Sequence, residues 1–201
     1  MDDTRGRVRV AVLISGAGSN MAALIDAGQR PDAPYEVVLV VSNDPDAGGV
    51  AIARAKNVGT VAIDHRPFGT DRAAHEAVIH AALDAERIEV VALAGYMRLL
   101  TPWLVGRWEG RMLNIHPSLL PNYPGLNTHA RAIAAGDAVA GCTVHLVSEG
   151  VDEGPVLARA EVPIVPGDTP QSLAQRVLTT EHRLYPEALA DFCTARLGRK
   201  R

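Results

Sequence analysis

The sequence predicts an α/β fold in which a mostly parallel, doubly wound sheet is followed by an antiparallel C-terminal part and a long final helix. Short apolar runs rich in β-branched residues alternate with helix-length segments along the first half of the chain. Such runs are typical of strands buried on both faces of a parallel sheet. Near the C-terminus, two runs are separated by only a short acidic segment, which favours an antiparallel pair.

Predicted strands and helices alternate throughout the first half. Residues 8–14 form a nearly continuous apolar run, and a glycine-rich turn leads from it into a helix over residues 19–27. The pattern continues as strand 35–41, helix 48–55, strand 60–63, helix 71–85, strand 90–94 and strand 112–115. Because strand–helix–strand crossovers are right-handed, the helices are expected to cover both faces of a Rossmann-like sheet.

The second half departs from this alternation. Strands are predicted over residues 141–147 and 156–162, with little between them except a turn-rich segment. Asp168 or Thr169 is expected to cap the long final helix. Much of the apolar face of that helix is expected to come from Leu173, Val177, Leu184 and Leu189.

The composition is that of an ordinary globular protein. The 201 residues, 47% hydrophobic and 21% charged, are enough for one domain with a sizeable core or for two closely packed halves. The net charge of −3 gives no electrostatic footprint for nucleic acid, and basic residues gather only at the two ends, as in solvating tails. No apolar run reaches membrane-spanning length and the acidic start argues against a signal peptide, so we expect a cytoplasmic protein without a membrane partner.

Spacing argues against a metal site and against a disulfide framework. Cys142 and Cys193 match the pattern of neither. His75 and His80 flank a glutamate on a predicted helix, but they lie five residues apart, whereas a zinc helix needs a separation of four. We therefore expect no metal. His145 lies in the middle of a predicted strand, either as a core histidine or as a neighbour of a site.

The most informative stretch of the sequence places Asn114 and His116 at the end of the predicted strand 112–115. Side chains two residues apart in an extended segment point to the same face, and Pro117 and Pro121 stop the strand after them. A neutral donor beside a titratable acid or base suits a reaction that passes through an oxyanion. The pair also suits a simple strand end, with a solvated histidine and an asparagine that opens a turn.

A glycine-rich turn, Ser15-Gly16-Ala17-Gly18-Ser19-Asn20, joins the first strand to the first helix. Glycines let the backbone approach a ligand, and the N–H groups and dipole of a helix start favour an anion. A dinucleotide fingerprint needs a third glycine where Met21 stands, and the lysine of a Walker loop is absent. The turn therefore favours a single phosphate monoester. A tight turn with a serine cap is the alternative.

Two further loops carry charged side chains that can serve a site. Asp152, in the acidic segment, can orient and charge a histidine, or it can be a surface carboxylate in a turn. Arg98 follows the fourth predicted strand, where the loops of parallel sheets build sites. It can hold an anionic tail there or cover apolar packing. Arg72, in the first turn of its predicted helix, is a weaker candidate.

Three signals occur in one order: the glycine-rich turn, Asn-Ile-His-Pro-Ser-Leu-Leu-Pro-x-Tyr-x-Gly from Asn114, and Gly-x-x-Val-His followed by Asp-x-Gly at Asp152. From Val8 to about Phe192, the chain resembles the folate-dependent formyltransferases. The His-Pro-Ser-Leu-Leu-Pro stretch is shared across that family, so it indicates chemistry rather than substrate. The glycine-rich turn, the short length and the run Gly-Tyr-Met-Arg ending at Arg98 resemble the branch that acts on glycinamide ribonucleotide.

The resemblance implies transfer of the formyl group of 10-formyltetrahydrofolate, a co-substrate, to the amine of 5′-phosphoribosylglycinamide in de novo purine (IMP) biosynthesis, without a metal. The catalytic residues it implies are Asn114, His116 and Asp152. The ribonucleotide-binding residues are Gly18, Ser19, Asn20 and Glu181. The folate-binding residues are Arg72, Met97, Arg98, Leu99, Leu100, Ser148, Glu149, Gly150 and Val151.

The implied organisation is one formyltransferase domain over residues 1–201, with a nucleotide-binding half over about 8–110 and a catalytic and folate-binding half over about 111–193. Its partners would be small-molecule substrates, without nucleic acid, in a monomer or homodimer. Two positions depart from the family's pattern: Ala17 replaces a frequent asparagine, and Asn127 stands where histidine is common.

Other activities stay open as alternatives. One is another formyltransferase or a deformylase that uses 10-formyltetrahydrofolate, although these relatives are expected to need an additional N-terminal or C-terminal domain. The other is a non-catalytic module that binds phosphate or folate on the same fold.

Overall fold

A seven-stranded sheet runs through the computed structural model, which describes residues 6–199 of the chain. The strands in chain order are β1 (Val8–Ile14), β2 (Tyr35–Ser42), β3 (Gly59–Ala62), β4 (Val90–Leu93), β5 (Met112–His116), β6 (Val139–Leu146) and β7 (Val156–Pro163). The α-helices are α1 (Ser19–Gly28), α2 (Gly48–Ala55), α3 (Arg72–Ala85), α4 (Pro102–Arg107), α5 (Thr128–Ala135) and α6 (Pro170–Arg199). Of the basic and acidic ends noted in the sequence, Asp2, Asp3, Arg5, Lys200 and Arg201 lie outside the described residues.

The strand order is β3-β2-β1-β4-β5-β6-β7. The pairs from β3 to β5 are parallel, whereas β5–β6 and β6–β7 are antiparallel. The predicted fold class is confirmed, and the boundaries of the predicted elements differ from the observed ones by at most two residues. In this order β1 lies between β2 and β4, so the chain segments that follow these three strands meet at one edge of the sheet.

Alternate residues of the strands feed two apolar cores, one on each face of the sheet. Val10, Val12 and Ile14 of β1 pack on the face covered by α1 and α6. Ala11 and Leu13 pack on the other face, where the buried residues of α3 and α4 also lie. This two-sided burial explains why β1 reads as a continuous apolar run rather than an alternating one.

The sequence left two residues, Asp168 and Thr169, as alternatives for the cap of the long helix α6. The Thr169 hydroxyl accepts the backbone N–H of Ser172 at 3.1 Å, so Thr169 is the capping residue. Asp168 instead accepts the Ser172 hydroxyl at 2.8 Å and pairs with Arg176, whose guanidinium holds the pKa of Asp168 well below its usual range. Leu173, Val177 and Leu189 are fully buried, and Leu184 packs against the same core.

Two helices were not predicted. The six residues of α4 begin at Pro102, and a helix that short has too few turns to show an apolar stripe. The eight residues of α5 follow Asn127, which adopts a left-handed conformation with φ of 59°. Asparagine tolerates that conformation better than most residues, so its presence where histidine is common is compatible with this turn.

Candidate active site

Strand β5 presents Asn114 and His116 on one face of the sheet, as the spacing predicted. Ile115 between them points into the opposite core and is 7% exposed. His116 is 5% exposed and Asn114 is half-buried. The strand ends at His116, directly before Pro117. The two polar side chains therefore lie next to each other at the carboxyl end of a central strand.

Asp152 joins this pair in the folded structure. Its Oδ2 atom lies 3.2 Å from Nδ1 of His116 and accepts the backbone N–H of Gly125 at 2.9 Å. Its backbone has φ of 58°, a conformation that aspartate adopts more readily than most residues. The structure thus brings together the three side chains that the sequence singled out for catalysis.

The route by which Asp152 reaches the site differs from the expected one. Because loops at the carboxyl ends of parallel strands build sites, the loop that carries Asp152 is expected from the sequence at the same end of the sheet as His116. Because β6 is antiparallel to β5, however, β6 ends opposite Leu113, near the beginning of β5. Residues 147–155 then fold back over the sheet. Gly154 makes this return possible, since a Cβ there would lie 1.7 Å from the Leu146 carbonyl oxygen.

His145 is a site residue for which the sequence left two interpretations open. It pairs with Asn114 across β5 and β6, and residues directly opposite in an antiparallel pair share a face. Asn114 Nδ2 donates to His145 Nε2 at 3.1 Å, and that nitrogen lies 3.6 Å from Asp152 Oδ1. His145 Nδ1 donates to the Leu146 carbonyl at 2.9 Å. His145 therefore links Asn114 to Asp152 and orients the Asn114 amide. This role of His145 depends on the pairing register of β5 and β6.

Both ring nitrogens of His116 face acceptors. Nε2 lies 3.0 Å from the carbonyl oxygen of Tyr123, and Nδ1 faces the Asp152 carboxylate. Burial lowers the pKa of His116 below its ordinary value, and the Tyr123 carbonyl and Asp152 oppose that shift only in part. The neutral ring can donate to just one of these acceptors, whereas an imidazolium donates to both. Negative charge arising nearby would therefore favour the protonated ring.

Asp152 remains ionised in this setting. Burial raises the pKa of Asp152, but the nearby His145 ring, the hydrogen bond from the Gly125 N–H and the adjacent His116 ring together bring that pKa below its ordinary value. A fixed carboxylate beside a histidine, with an amide donor close to both, is an arrangement that can stabilise an oxyanion and move a proton.

The glycine-rich turn lies where β1 leads into α1. Gly18 adopts φ of 75° and packs so closely on α2 that a Cβ would lie 2.7 Å from the Gly49 Cα. Gly18 is the capping position of α1 and Ser19 is its first residue, so the serine cap considered as an alternative is not present. The first backbone N–H groups of the helix thus have no side-chain cap and can receive an anion.

Asn20 and Glu181, which the resemblance implies as ribonucleotide-binding residues, are in contact at this turn. Asn20 Nδ2 donates to Glu181 Oε2 at 2.6 Å, and both side chains are buried. Burial raises the pKa of Glu181, and the Asn20 bond opposes that shift. Among the described residues, Asn20 Oδ1 is buried without a hydrogen-bond partner. The pair therefore leaves a buried acceptor oxygen unpaired close to the start of α1.

The segments implied to bind folate lie on the Leu13 face of the sheet. Met97 and Leu99 are 67% and 64% exposed, although both are large and apolar. Leu100 packs against the apolar core of that face, as does Val147 at the start of the second segment. Within that second segment the Ser148 hydroxyl makes a long contact of 3.5 Å with the Gly150 carbonyl, and Val151 is exposed. Glu149 is exposed, and its neighbours Ser148 and Gly150 are half-buried.

The two arginines lie at the first of these segments. Arg72 at the start of α3 donates to the Leu99 carbonyl at 3.2 Å, and Arg98 is half-buried within the segment itself. One helical turn beyond Arg72, the buried Glu76 accepts the Thr101 N–H at 2.8 Å and bonds the Thr101 hydroxyl. Glu76 was not among the site residues predicted from the sequence. The sequence pattern that points to Glu76 is its position four residues after Arg72, which places both side chains on the same face of α3.

No group of three or more His, Cys, Asp or Glu side chains within residues 6–199 is arranged to hold a metal ion. His75 is buried, and its Nε2 lies 2.9 Å from the Ile63 carbonyl oxygen. No helix in that same part of the chain is long and apolar enough to cross a membrane.

Comparison with known proteins shows the family of this chain. The profile of the formyl transferase family matches residues 8–189. This chain belongs to the formyl transferase family. Phosphoribosylglycinamide formyltransferase of Escherichia coli (strain K12) is 42% identical over 190 residues, which cover 94% of this chain and 89% of the relative. Trifunctional purine biosynthetic protein adenosine-3 of Drosophila melanogaster is 47% identical over 187 residues, which cover 92% of this chain. The chain spans only 14% of that relative's length.

Solved structures of similar proteins have the same fold. The crystal structure of phosphoribosylglycinamide formyltransferase from Brucella melitensis matches with a TM-score of 0.89 and 54% identity, covering 93% of this chain and 96% of that one. The crystal structure of glycinamide ribonucleotide transformylase 1 from Symbiobacterium toebii matches with a TM-score of 0.91 and 43% identity, covering 94% and 89%. The two antiparallel strands and the long final helix are therefore part of a known architecture.

Proposed function

We propose that this chain transfers the formyl group of 10-formyltetrahydrofolate to the primary amine of 5′-phosphoribosylglycinamide, a step of de novo purine biosynthesis. The observation that carries the proposal is the convergence of Asn114, His116 and Asp152, 3.2 Å apart at the closest pair, in a member of the formyl transferase family. Relatives named for this reaction match nearly the whole chain, which supports the same substrates here.

The proposed reaction begins with attack of the amine nitrogen on the formyl carbon. The formyl oxygen then carries a negative charge in a tetrahedral intermediate. Asn114 supplies a neutral amide donor to that oxygen, because His145 occupies only one of the two N–H bonds of its amide. His116 would supply a second donor when its Nε2–H turns from the Tyr123 carbonyl to that oxygen, while Nδ1 stays on Asp152. Preformed donors stabilise a developing oxyanion more than water does, because they need no reorganisation during the reaction.

Collapse of the intermediate breaks the bond between the formyl carbon and the folate nitrogen. The electron pair stays on that nitrogen, which must gain a proton, while the attacking amine loses one. Protonated His116, or a water molecule held by Asp152, is the proposed proton carrier. Although burial lowers the pKa of His116 in the free protein, the oxyanion and Asp152 both favour the imidazolium during the reaction.

The ribonucleotide is proposed to bind between α1 and α6. Its phosphate would accept the N–H groups of Gly18, Ser19 and Asn20 at the start of α1, where the helix dipole favours an anion. Its ribose hydroxyls would donate to Glu181 and to the buried Oδ1 of Asn20, which has no partner within the described residues.

The folate is proposed to bind against residues 97–100 and 148–151. The exposed side chains of Met97, Leu99 and Val151 offer apolar surface to the pterin, and burying such surface is favourable. Arg98 and Arg72, at one end of this surface, would meet the anionic glutamate tail. Division into nucleotide-binding and folate-binding halves, a cytoplasmic location and a monomeric or homodimeric state belong to the same proposal.

A turnover assay with both substrates tests the function. We expect tetrahydrofolate release from 10-formyltetrahydrofolate only when glycinamide ribonucleotide is present, and loss of release in the variant His116→Ala. Release without the ribonucleotide would identify a deformylase instead. Tight binding of both ligands without product would identify a non-catalytic binding module.

A further inference from the structure

A single hydroxyl group connects the glycine-rich turn to the folate segment. Ser15, the first residue of the turn, accepts the backbone N–H of Met97 at 2.8 Å. The same hydroxyl donates to Asn43 Oδ1 at 2.5 Å. Its one hydrogen and one of its lone pairs are therefore both engaged, so the hydroxyl has a defined orientation.

The sheet topology explains why these three residues meet. Ser15 directly follows β1, Asn43 directly follows β2, and Met97 lies four residues beyond the end of β4. Because β1 lies between β2 and β4, Ser15 is at the centre of the three chain segments. Asn43 is 5% exposed, which gives the hydroxyl a fixed partner on one side. Met97, on the other side, is largely exposed and belongs to the segment proposed to bind the folate.

The rest of the glycine-rich turn is held by contacts with the start of α2. The Gly16 carbonyl accepts the N–H of Gly49 at 3.0 Å, and Gly18 packs directly on Gly49. A phosphate bound to the N–H groups at the start of α1 would restrict the turn further. Ser15 would transmit that restriction to the backbone of Met97, because the two share a hydrogen bond.

We propose that Ser15 is a positioning residue that couples the two substrate sites, so that the ribonucleotide and the folate each strengthen binding of the other. The inference rests on the proposed function, since it assigns the turn to the ribonucleotide phosphate and residues 97–100 to the folate. Coupling between two ligands is reciprocal, so it can be measured from either side.

The folate segment has a second anchor that does not touch the turn. The side chain of Thr101 bonds Glu76 of α3, and its backbone N–H bonds the same carboxylate at 2.8 Å. Thr101→Val removes one hydroxyl bond from this segment, as Ser15→Ala does, but leaves the connection to the turn intact. Thr101→Val is therefore a matched control for general loosening of the segment.

Calorimetric titration of the full chain with tetrahydrofolate, with and without saturating glycinamide ribonucleotide, measures the coupling. This pair contains no formyl group, so no reaction occurs during the titration. In the wild type we expect the ribonucleotide to lower the Kd of tetrahydrofolate by about fivefold or more, the lower end of typical coupling. Ser15→Ala should bring that factor close to one, and Ser15→Thr, which keeps the hydroxyl, should restore it. Thr101→Val should raise both Kd values by the same factor.

An unchanged factor in Ser15→Ala overturns the inference, as does a factor of one in the wild type or an equal loss of coupling in Thr101→Val. Failure of the proposed function has a different signature. In that case the wild type releases no tetrahydrofolate in the turnover assay or does not bind the ribonucleotide, and the inference fails together with it.

Discussion

Oδ2 of Asp152 lies 3.2 Å from Nδ1 of His116, in a part of the structure where both side chains are almost inaccessible to water. Two opposite influences therefore act on the histidine. Burial favours the neutral ring, and the adjacent carboxylate favours the charged ring. Because burial has the larger effect, the pKa of His116 in the free protein lies below its ordinary value rather than above it. From the sequence, Asp152 was expected to raise the pKa of His116; its carboxylate acts in that direction, but burial outweighs it and the pKa is lowered.

Asp152→Asn removes the carboxylate but keeps the size of the side chain. We expect the pKa of His116 to fall further, because the charged ring loses its partner while burial remains. If turnover requires the imidazolium, kcat should be strongly reduced. Its decrease with rising pH should also begin at a lower pH than in the wild type. An NMR titration of His116 measures the pKa directly. The same titration midpoint in the wild type and in Asp152→Asn would contradict this coupling.

Asn114→Ala removes the amide donor next to His116. We expect kcat to fall by about 10²–10³-fold, as for other donors to an oxyanion. His116→Ala should reduce kcat by at least the 10²–10⁴-fold that is typical of general acid–base groups. The double variant should lose less than the product of the two factors, since both groups act on one charge. Steady-state kinetics of the three variants tests this, and multiplicative losses would show that the groups act independently.

His145→Ala leaves Asn114 in place but removes the partner of its amide. We expect a fall in kcat of about 10- to 100-fold, because a misoriented catalytic group can cost up to 10²-fold. The KM for the ribonucleotide should change little, since His145 lies on the opposite face of the sheet from α1 and α6. Thr143→Val is a control from the same strand and face, because Thr143 instead binds the backbone of residues 118–120. A comparable rise in the KM for both substrates would indicate a general structural role.

Gly18→Val places a branched side chain at φ of 75° and close to the Gly49 backbone. We expect the KM for the ribonucleotide to rise far more than the KM for the folate, because the turn would move away from the phosphate. Gly110→Val is a matched control: Gly110 has φ of 65°, but a Cβ there has nothing within 4 Å. The variant Gly110→Val therefore measures the effect of backbone strain alone, without a clash at the glycine-rich turn. Equal effects of Gly18→Val on both substrates would point to misfolding.

Arg98→Ala should weaken folate binding modestly, because partly exposed ion pairs contribute only about 0–1 kcal/mol. The effect should be larger at low ionic strength, where salt screens the pair less. Binding of a folate that lacks its glutamate tail is the control, and it should be unaffected by the substitution. If binding of the truncated folate suffers as much as that of the complete one, Arg98 does not contact the tail.

Local sequence determined most of the fold. The β-branched run of β1 and the glycines after it predicted a strand, a tight turn and a helix start, because these signals depend on residues close together in the chain. The period of two residues in a strand was enough to place Asn114 and His116 on one face. The helix α4 was missed, since six residues offer too few turns for a periodic pattern, and α5 was missed although the equally long α2 was predicted.

Tertiary structure decided what surrounds the pair on β5. The antiparallel register put His145 opposite Asn114, and the return of residues 147–155 over the sheet brought Asp152 to His116. The crossover order put Ser15 between Asn43 and Met97. Each of these contacts joins residues that are far apart in sequence, so no local pattern encodes it. The burial that lowers the pKa of His116 likewise depends on the whole fold, because it is the packing of several separate segments that excludes water from the ring.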